Sequence, residues 1–192
     1  MSDRTYGISG IELDDNGYTV VQSLVRKKYR AEDSSDNVVL RGKQKLLKLK
    51  EQFPFVDADG TEVFSVTAAG MLDVAGNYVL SDSQTGEDLV ILDNDYSVLQ
   101  DTWTIRDADT EAALARIDSR GALTTIARNV LPFGHWIPHR YEITDPNGTH
   151  VGTIAGTVSV ADTYEIRIDD AGDVPKEAVV AAAMVIDAIQ RN

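Results

Sequence analysis

Cysteine is absent from the 192 residues. That excludes disulfides, thiolate nucleophiles, zinc–cysteine sites and iron–sulfur clusters. No apolar run reaches the ~18 residues of an ordinary transmembrane helix. The opening residues, Met1 to Gly7, lack a basic-then-apolar leader pattern, so a cytoplasmic protein is expected. Positive charge is also scarce: 18 Lys and Arg face 31 Asp and Glu, for a net charge of −13. A field of that sign makes nucleic acid an unfavourable partner. Asp outnumbers Glu by 22 to 9, and only 7 of the basic residues are Lys. A surface dense in short carboxylates suits a cytoplasm of concentrated salt, where self-repulsion is screened. A halophilic protein is the first reading and an ordinary acidic protein the alternative.

What is present is a globular composition, 43% hydrophobic and 26% charged, in a chain long enough for one sizeable core. Aromatic residues are few, at 7%, yet they recur in a pattern. Tyr29-Arg-Ala31-Glu-Asp33 reads aromatic, any, apolar, any, Asp. The pattern returns at Phe53/Phe55/Asp57, Tyr78/Leu80/Asp82, Trp103/Ile105/Asp107 and Tyr141/Ile143/Asp145. A sixth copy, Tyr164/Ile166, carries its Asp one place later, at Asp169. Aromatic and apolar residues two apart share one face of a strand. The Asp then opens a turn, as in Asp57-Ala-Asp59-Gly60 and Asp145-Pro-Asn147-Gly148. A second apolar run follows the first five copies, so each unit reads as a β-hairpin and six units predict about twelve strands. The turn Asp57-Ala-Asp59-Gly60-Thr-Glu62 is too short for a calcium loop, and no metal is expected there. Residues 1–18 read as an extension with its own hairpin, pairing Ile11–Leu13 with Tyr18–Val20. Residues 118–137 interrupt the period.

After Asp173 the pattern changes. Pro175 suits a first helical turn and Glu177 the positive end of the helix dipole. Nine apolar residues, Ala178 to Ile186, then run in succession. A helix over 175–190 that is apolar all round is either buried or in a membrane. It is short for a bilayer, where Asp187 would be costly. A twelve-stranded barrel is too wide for its own side chains to fill, and a thin, Ala-rich helix fills it. The expected fold is mainly β with one helix (α+β): an antiparallel barrel of residues 19–192 around a hydrophobic C-terminal helix.

That order of hairpins and closing helix resembles the tubby C-terminal-like superfamily, and within it the LURP-one-related proteins, which share the fold with the phospholipid scramblases. The matching residues are Lys45–Phe55, Asp57–Phe64, Asp101–Ile105, Tyr141–Asp145, Asp162–Ile166 and Val185–Ile189; residues 1–18 and 118–137 do not match. The resemblance implies no catalytic triad and no cofactor, and so no enzyme. It implies anionic phospholipids or a membrane surface as candidate partners, with a scramblase-like membrane role as an alternative, and peripheral membrane association.

One segment departs from the acidic background. Residues 26–50 hold nine basic residues against three acidic ones. Arg26, Lys27, Lys28, Arg41, Lys43, Lys45, Lys48 and Lys50 are the candidate anion-binding residues. Arg41, Lys43 and Lys45 alternate and would share one face of a strand. A basic strip gains roughly 1 kcal/mol per residue near an anionic surface. The competing reading is a solvated face whose lysines guard a sheet against aggregation, in a protein whose role is structural or protein-binding. A second candidate is the loop carrying Phe133, His135, Trp136 and His139, a possible contact surface. Pro138 argues against the helix that would make a zinc pair of the two histidines. No hydrolase elbow, phosphate loop or dinucleotide fingerprint is present.

Overall fold

Five of the six sequence units form hairpins, and the sixth is completed from the other end of the chain. The strands are β1 (Gly17–Gln22), β2 (Lys28–Glu32), β3 (Val38–Lys43), β4 (Lys45–Leu46), β5 (Glu51–Val56), β6 (Glu62–Ala68) and β7 (Tyr78–Asp82). They continue as β8 (Asp88–Tyr96), β9 (Asp101–Asp107), β10 (Ala113–Ser119), β11 (Arg140–Thr144), β12 (His150–Thr157) and β13 (Thr163–Ile168). Among the described residues one helix, α1 (Lys176–Gln190), closes the order. The computed structural model describes residues 6–23, 28–43, 45–46, 51–69, 77–96, 101–119, 140–157 and 163–190.

Neighbouring strands pair antiparallel from β3 through β2, β1 and β13, then backward to β5. The pairing of β3 with β5 closes the ring into a twelve-stranded barrel. The short β4 extends that closure in the same register: Arg41 lies opposite Val56, Gly42 opposite Phe55, Lys45 opposite Gln52 and Leu46 opposite Glu51. β13 has no following strand in its own unit. Its partner is β1, with Tyr18 opposite Ile166 and Val20 opposite Tyr164. Closure leaves the ring no free edge for aggregation.

The repeat explains the interior. The six aromatics Tyr29, Phe53, Tyr78, Trp103, Tyr141 and Tyr164 are all buried. Neighbours in this collar touch: Phe53 meets Tyr78 edge-on at 6.3 Å between centroids, and Tyr78 lies 6.2 Å from Trp103. Two residues on, Ala31, Phe55, Leu80, Ile105, Ile143 and Ile166 form a second buried layer, as strand alternation requires. The Asp that ends each pattern then fixes a turn with its own carboxylate. Asp57 Oδ1 accepts from the backbone N–H groups of Asp59 and Thr61, both at 2.9 Å. Asp33, Asp82, Asp107 and Asp145 do the same for two N–H groups of their own turns. Each turn then needs one left-handed residue. Gly60 and Gly148 supply it with φ of 90° and 83°, whereas Asp36 and Glu111 adopt 63° and 58° despite their side chains.

α1 runs through the barrel. Every residue from Glu177 to Ala188 is buried, and the apolar ones form one cluster with the strand interiors. Its five larger aliphatics, Val179, Val180, Met184, Val185 and Ile186, contribute up to ~10 kcal/mol by burial. Asp187 is tolerated because two collar tyrosines serve it: Tyr29 Oη donates at 3.0 Å and Tyr164 Oη donates as well. Among the described residues, no helix is long and apolar enough to cross a membrane.

The hairpin expected at the start of the chain does not form. Gly17–Gln22 is a barrel strand, and residues 6–16 are a strap across the end where the Asp turns lie. The strap's polar groups find partners there instead of in a ladder. Tyr6 Oη donates to Asp107 at 2.7 Å, the Ser9 N–H to Asp82 at 2.7 Å, and the Leu13 N–H to Glu177 at 2.9 Å. Its Ile8 and Leu13 are buried in the core cluster. Lys176 Nζ ties the strap to the helix through the carbonyls of Asp14 and Asp15, at 3.0 and 2.8 Å.

Candidate anion-binding groove

Because the helix fills the barrel, the accessible chemistry of the described residues lies on the outer wall. β2 and β3 alternate strictly there. Tyr29, Ala31, Leu40 and Gly42 face inward and are buried, while Lys28, Arg30, Arg41 and Lys43 are exposed. The register sets Lys28 directly opposite Lys43 and Arg30 directly opposite Arg41. Like charges facing each other across a ladder are destabilising.

These four cations line a groove of about 480 Å³, together with Val21 and Ser23 of the β1 side, Pro54 and Val56 of β5, and Glu62 of β6. One row across it reads Val21, Arg30, Arg41, Val56 and Glu62. The next reads Lys28, Lys43 and, by continued register, Pro54. Gly42 seats this wall on the core. A Cβ there would lie 2.8 Å from the Phe55 ring and 3.3 Å from Met184 Sδ of the helix. Only a glycine lets strand β3 lie this close to its neighbours.

The cations differ in what they already hold. Arg30 Nε pairs with Glu32 at 2.6 Å. Arg41 Nη1 donates to the carbonyls of Ala58 and Asp57, at 2.7 and 3.2 Å. Among the described residues, the ammonium groups of Lys28 and Lys43 have no carboxylate within ion-pairing distance. Glu62 lies at the far side, where it accepts from Ser83 Oγ at 3.2 Å.

The groove thus brings together Lys28, Arg41 and Lys43 of the expected residues. Lys45 lies on β4, in register with Gln52. Arg26, Lys27, Lys48 and Lys50 lie outside the described residues, as do Phe133, His135, Trp136 and His139. Arg30 belongs to the groove and was not among the expected site residues, although its spacing of two from Lys28 carried the signal. The apolar wall of Val21, Pro54 and Val56 comes from strands far apart in sequence, and only the register reveals it. His150 sits elsewhere, between Glu142 at 3.2 Å and Asp169 at 3.1 Å. Arg167 and then His150 hold the Asp169 carboxyl below its ordinary range. Among the described residues no group of three or more His, Asp or Glu is arranged to hold a metal ion.

A closed twelve-stranded antiparallel barrel around one C-terminal helix, with its polar chemistry on the outer wall, defines the class of protein. The chain belongs to the LURP-one-related family, whose model matches residues 38–187. The match takes in Arg41, Lys43, Pro54 and Val56, and leaves out Val21, Lys28 and Arg30. Among solved structures, a protein from Arabidopsis thaliana is similar in fold, with a TM-score of 0.58, 9% identity and 91% of each chain covered. No curated protein matches the chain.

Proposed function

We propose that this protein is a binding module, not an enzyme, and that it recognises anionic groups through the wall groove of Lys28, Arg30, Arg41 and Lys43. The observation that carries the reading is the facing of like charges, Lys28 against Lys43 and Arg30 against Arg41. In a chain of net charge −13, carboxylates are plentiful, yet none pairs with either lysine among the described residues. A solvated face whose lysines merely balanced the surrounding acids would pair them. An anion between the two strands relieves the repulsion that the register imposes. Phosphate and carboxylate head groups at a membrane surface have that charge, and two lysines are worth about 2 kcal/mol there. Peripheral association from the cytoplasmic side, with no cofactor, follows from this reading.

Vesicle flotation tests it. Wild-type protein should float with vesicles containing anionic phospholipid and stay behind with zwitterionic ones. The variant Lys28→Glu/Lys43→Glu, shown folded by circular dichroism, should lose the difference. Equal behaviour of wild type and variant on anionic vesicles refutes the groove as the binding surface. It would favour a structural or protein-binding role.

A further inference from the structure

We infer that the groove takes one anionic lipid molecule, head group between Lys28 and Lys43 and acyl chain along Pro54 and Val56 on the β5 side. This rests on the reading of the groove as an anion site and names its ligand. Three observations carry it. First, the unengaged positive charge is not spread along the strip. Arg30 is committed to Glu32, and Arg41 to the carbonyls of Asp57 and Ala58. The two lysines are directly opposite, so they offer one focus for one anionic group. Second, the sheet flanks the cations with apolar side chains. Val21 stands beside Arg30 and Val56 beside Arg41, and Pro54 follows Lys43 across the ladder. All three are half-buried and line the same groove. A bare head group would leave Pro54 and Val56 against water, where an acyl chain running toward β5 would cover them. Third, the groove is polarised. Glu62 closes the side away from the lysines, which disfavours a second anionic group at that end. A volume of about 480 Å³ lies within the ~300–1,000 Å³ of small-molecule sites. Toward β5, the complementary ligand is charged at the lysines and apolar beyond them.

Titration calorimetry on the full chain decides it, using inorganic phosphate, hexyl phosphate and decyl phosphate, each below its micelle-forming concentration. A fully buried methylene tightens binding about four-fold. A groove open on one side should still give a gain of at least about ten-fold from hexyl to decyl phosphate. Pro54→Ser/Val56→Ser should remove the dependence on chain length. Lys28→Gln/Lys43→Gln should weaken all three ligands. If the three phosphates bind wild type equally, the lipid inference fails and the anion reading stands. If none binds, both fail. If decyl phosphate binds the lysine variant as tightly as wild type, the ligand is held elsewhere and the inference fails. The chain-length series on wild type is decisive even if a variant does not fold.

Discussion

Replacing Ala182 with glutamate tests the placement on which the architecture depends. Ala182 is fully buried at the middle of α1, with the barrel around it on every side. The change has two costs. Extra atoms in a filled interior cost about 1–3 kcal/mol. The carboxyl must also stay neutral or be buried charged, and buried glutamates reach pKa values of ~8–9 against ~4.3 in the unfolded chain. The folded value is raised, so the ionisation cost is absent below about pH 4. It then grows by about 1.4 kcal/mol per pH unit until the folded value is reached. At pH 7 that is about 3.7 kcal/mol, and the total of about 5–7 kcal/mol rivals the ~5–15 kcal/mol that hold a typical domain together. Urea unfolding of Ala182→Glu and wild type, compared at each pH from about 4 to 8, should show a gap that widens steadily. Ala112→Glu, on an exposed turn, should show almost none. A gap that stays small and flat across the range would mean the helix is not enclosed.

The Asp turns predict an acid response. Burial raises the Asp82 carboxyl, but the N–H groups of Ser9, Thr85 and Gln84 outweigh it and bring its pKa down to about 2 from 3.8. The folded value lies below the unfolded one, so this contribution is present above about pH 4 and is lost as pH falls toward 2, with a ceiling of about 2 kcal/mol. Asp82→Asn should flatten that part of the stability profile; an unchanged profile refutes the assignment. At the left-handed position of its turn, Glu111→Gly should stabilise by about 0.5–1 kcal/mol and Gly148→Ala should destabilise by about 1–2 kcal/mol, read from urea midpoints. If the two substitutions act alike, backbone strain is not the cause. The carboxylate-rich surface predicts salt-dependent folding. The urea midpoint should rise between about 0.1 M and about 2 M KCl, as the screening length falls from ~10 Å to below ~3 Å; a flat or falling midpoint would mark an ordinary acidic protein.

Legibility in the sequence followed the range of the interactions involved. The collar and its second layer were readable because both depend on alternation within one strand, so Tyr78 and Leu80 declare their face without reference to any partner. The Asp turns were readable because the carboxylate and the N–H groups it accepts from lie within four residues. The sixth unit was only half readable: the partner of Tyr164 is Val20, 144 positions away, and no local signal links them. The strap was misread for a related reason. Asp15-Asn16-Gly17 has the chemistry of a hairpin turn, but the Leu13 N–H is satisfied by Glu177 at the helix start, so the segment needs no strand partner. In the groove, the basic residues stood out as a charge anomaly, whereas the apolar half required knowing that β1 and β5 flank β2 and β3.

The two halves of the molecule are linked through Gly42. Arg41 and Lys43 point outward from the residues on either side of it, and its own inner surface rests on Phe55 and near Met184. The helix that fills the barrel therefore also fixes the height of the strand that carries two of the groove's cations. A methyl group at position 42 would have to displace either the Phe55 ring, which is stacked on Phe64 at 4.6 Å, or β3 itself. Displacing β3 moves Lys43 away from Lys28 and loosens the closure with β5, so stability and the shape of the groove should fall together. A Gly42→Ala variant that loses stability by urea unfolding while keeping wild-type flotation on anionic vesicles would separate them. In that case the groove's geometry would not be set by the packing of the helix, and the link from core to surface would be wrong.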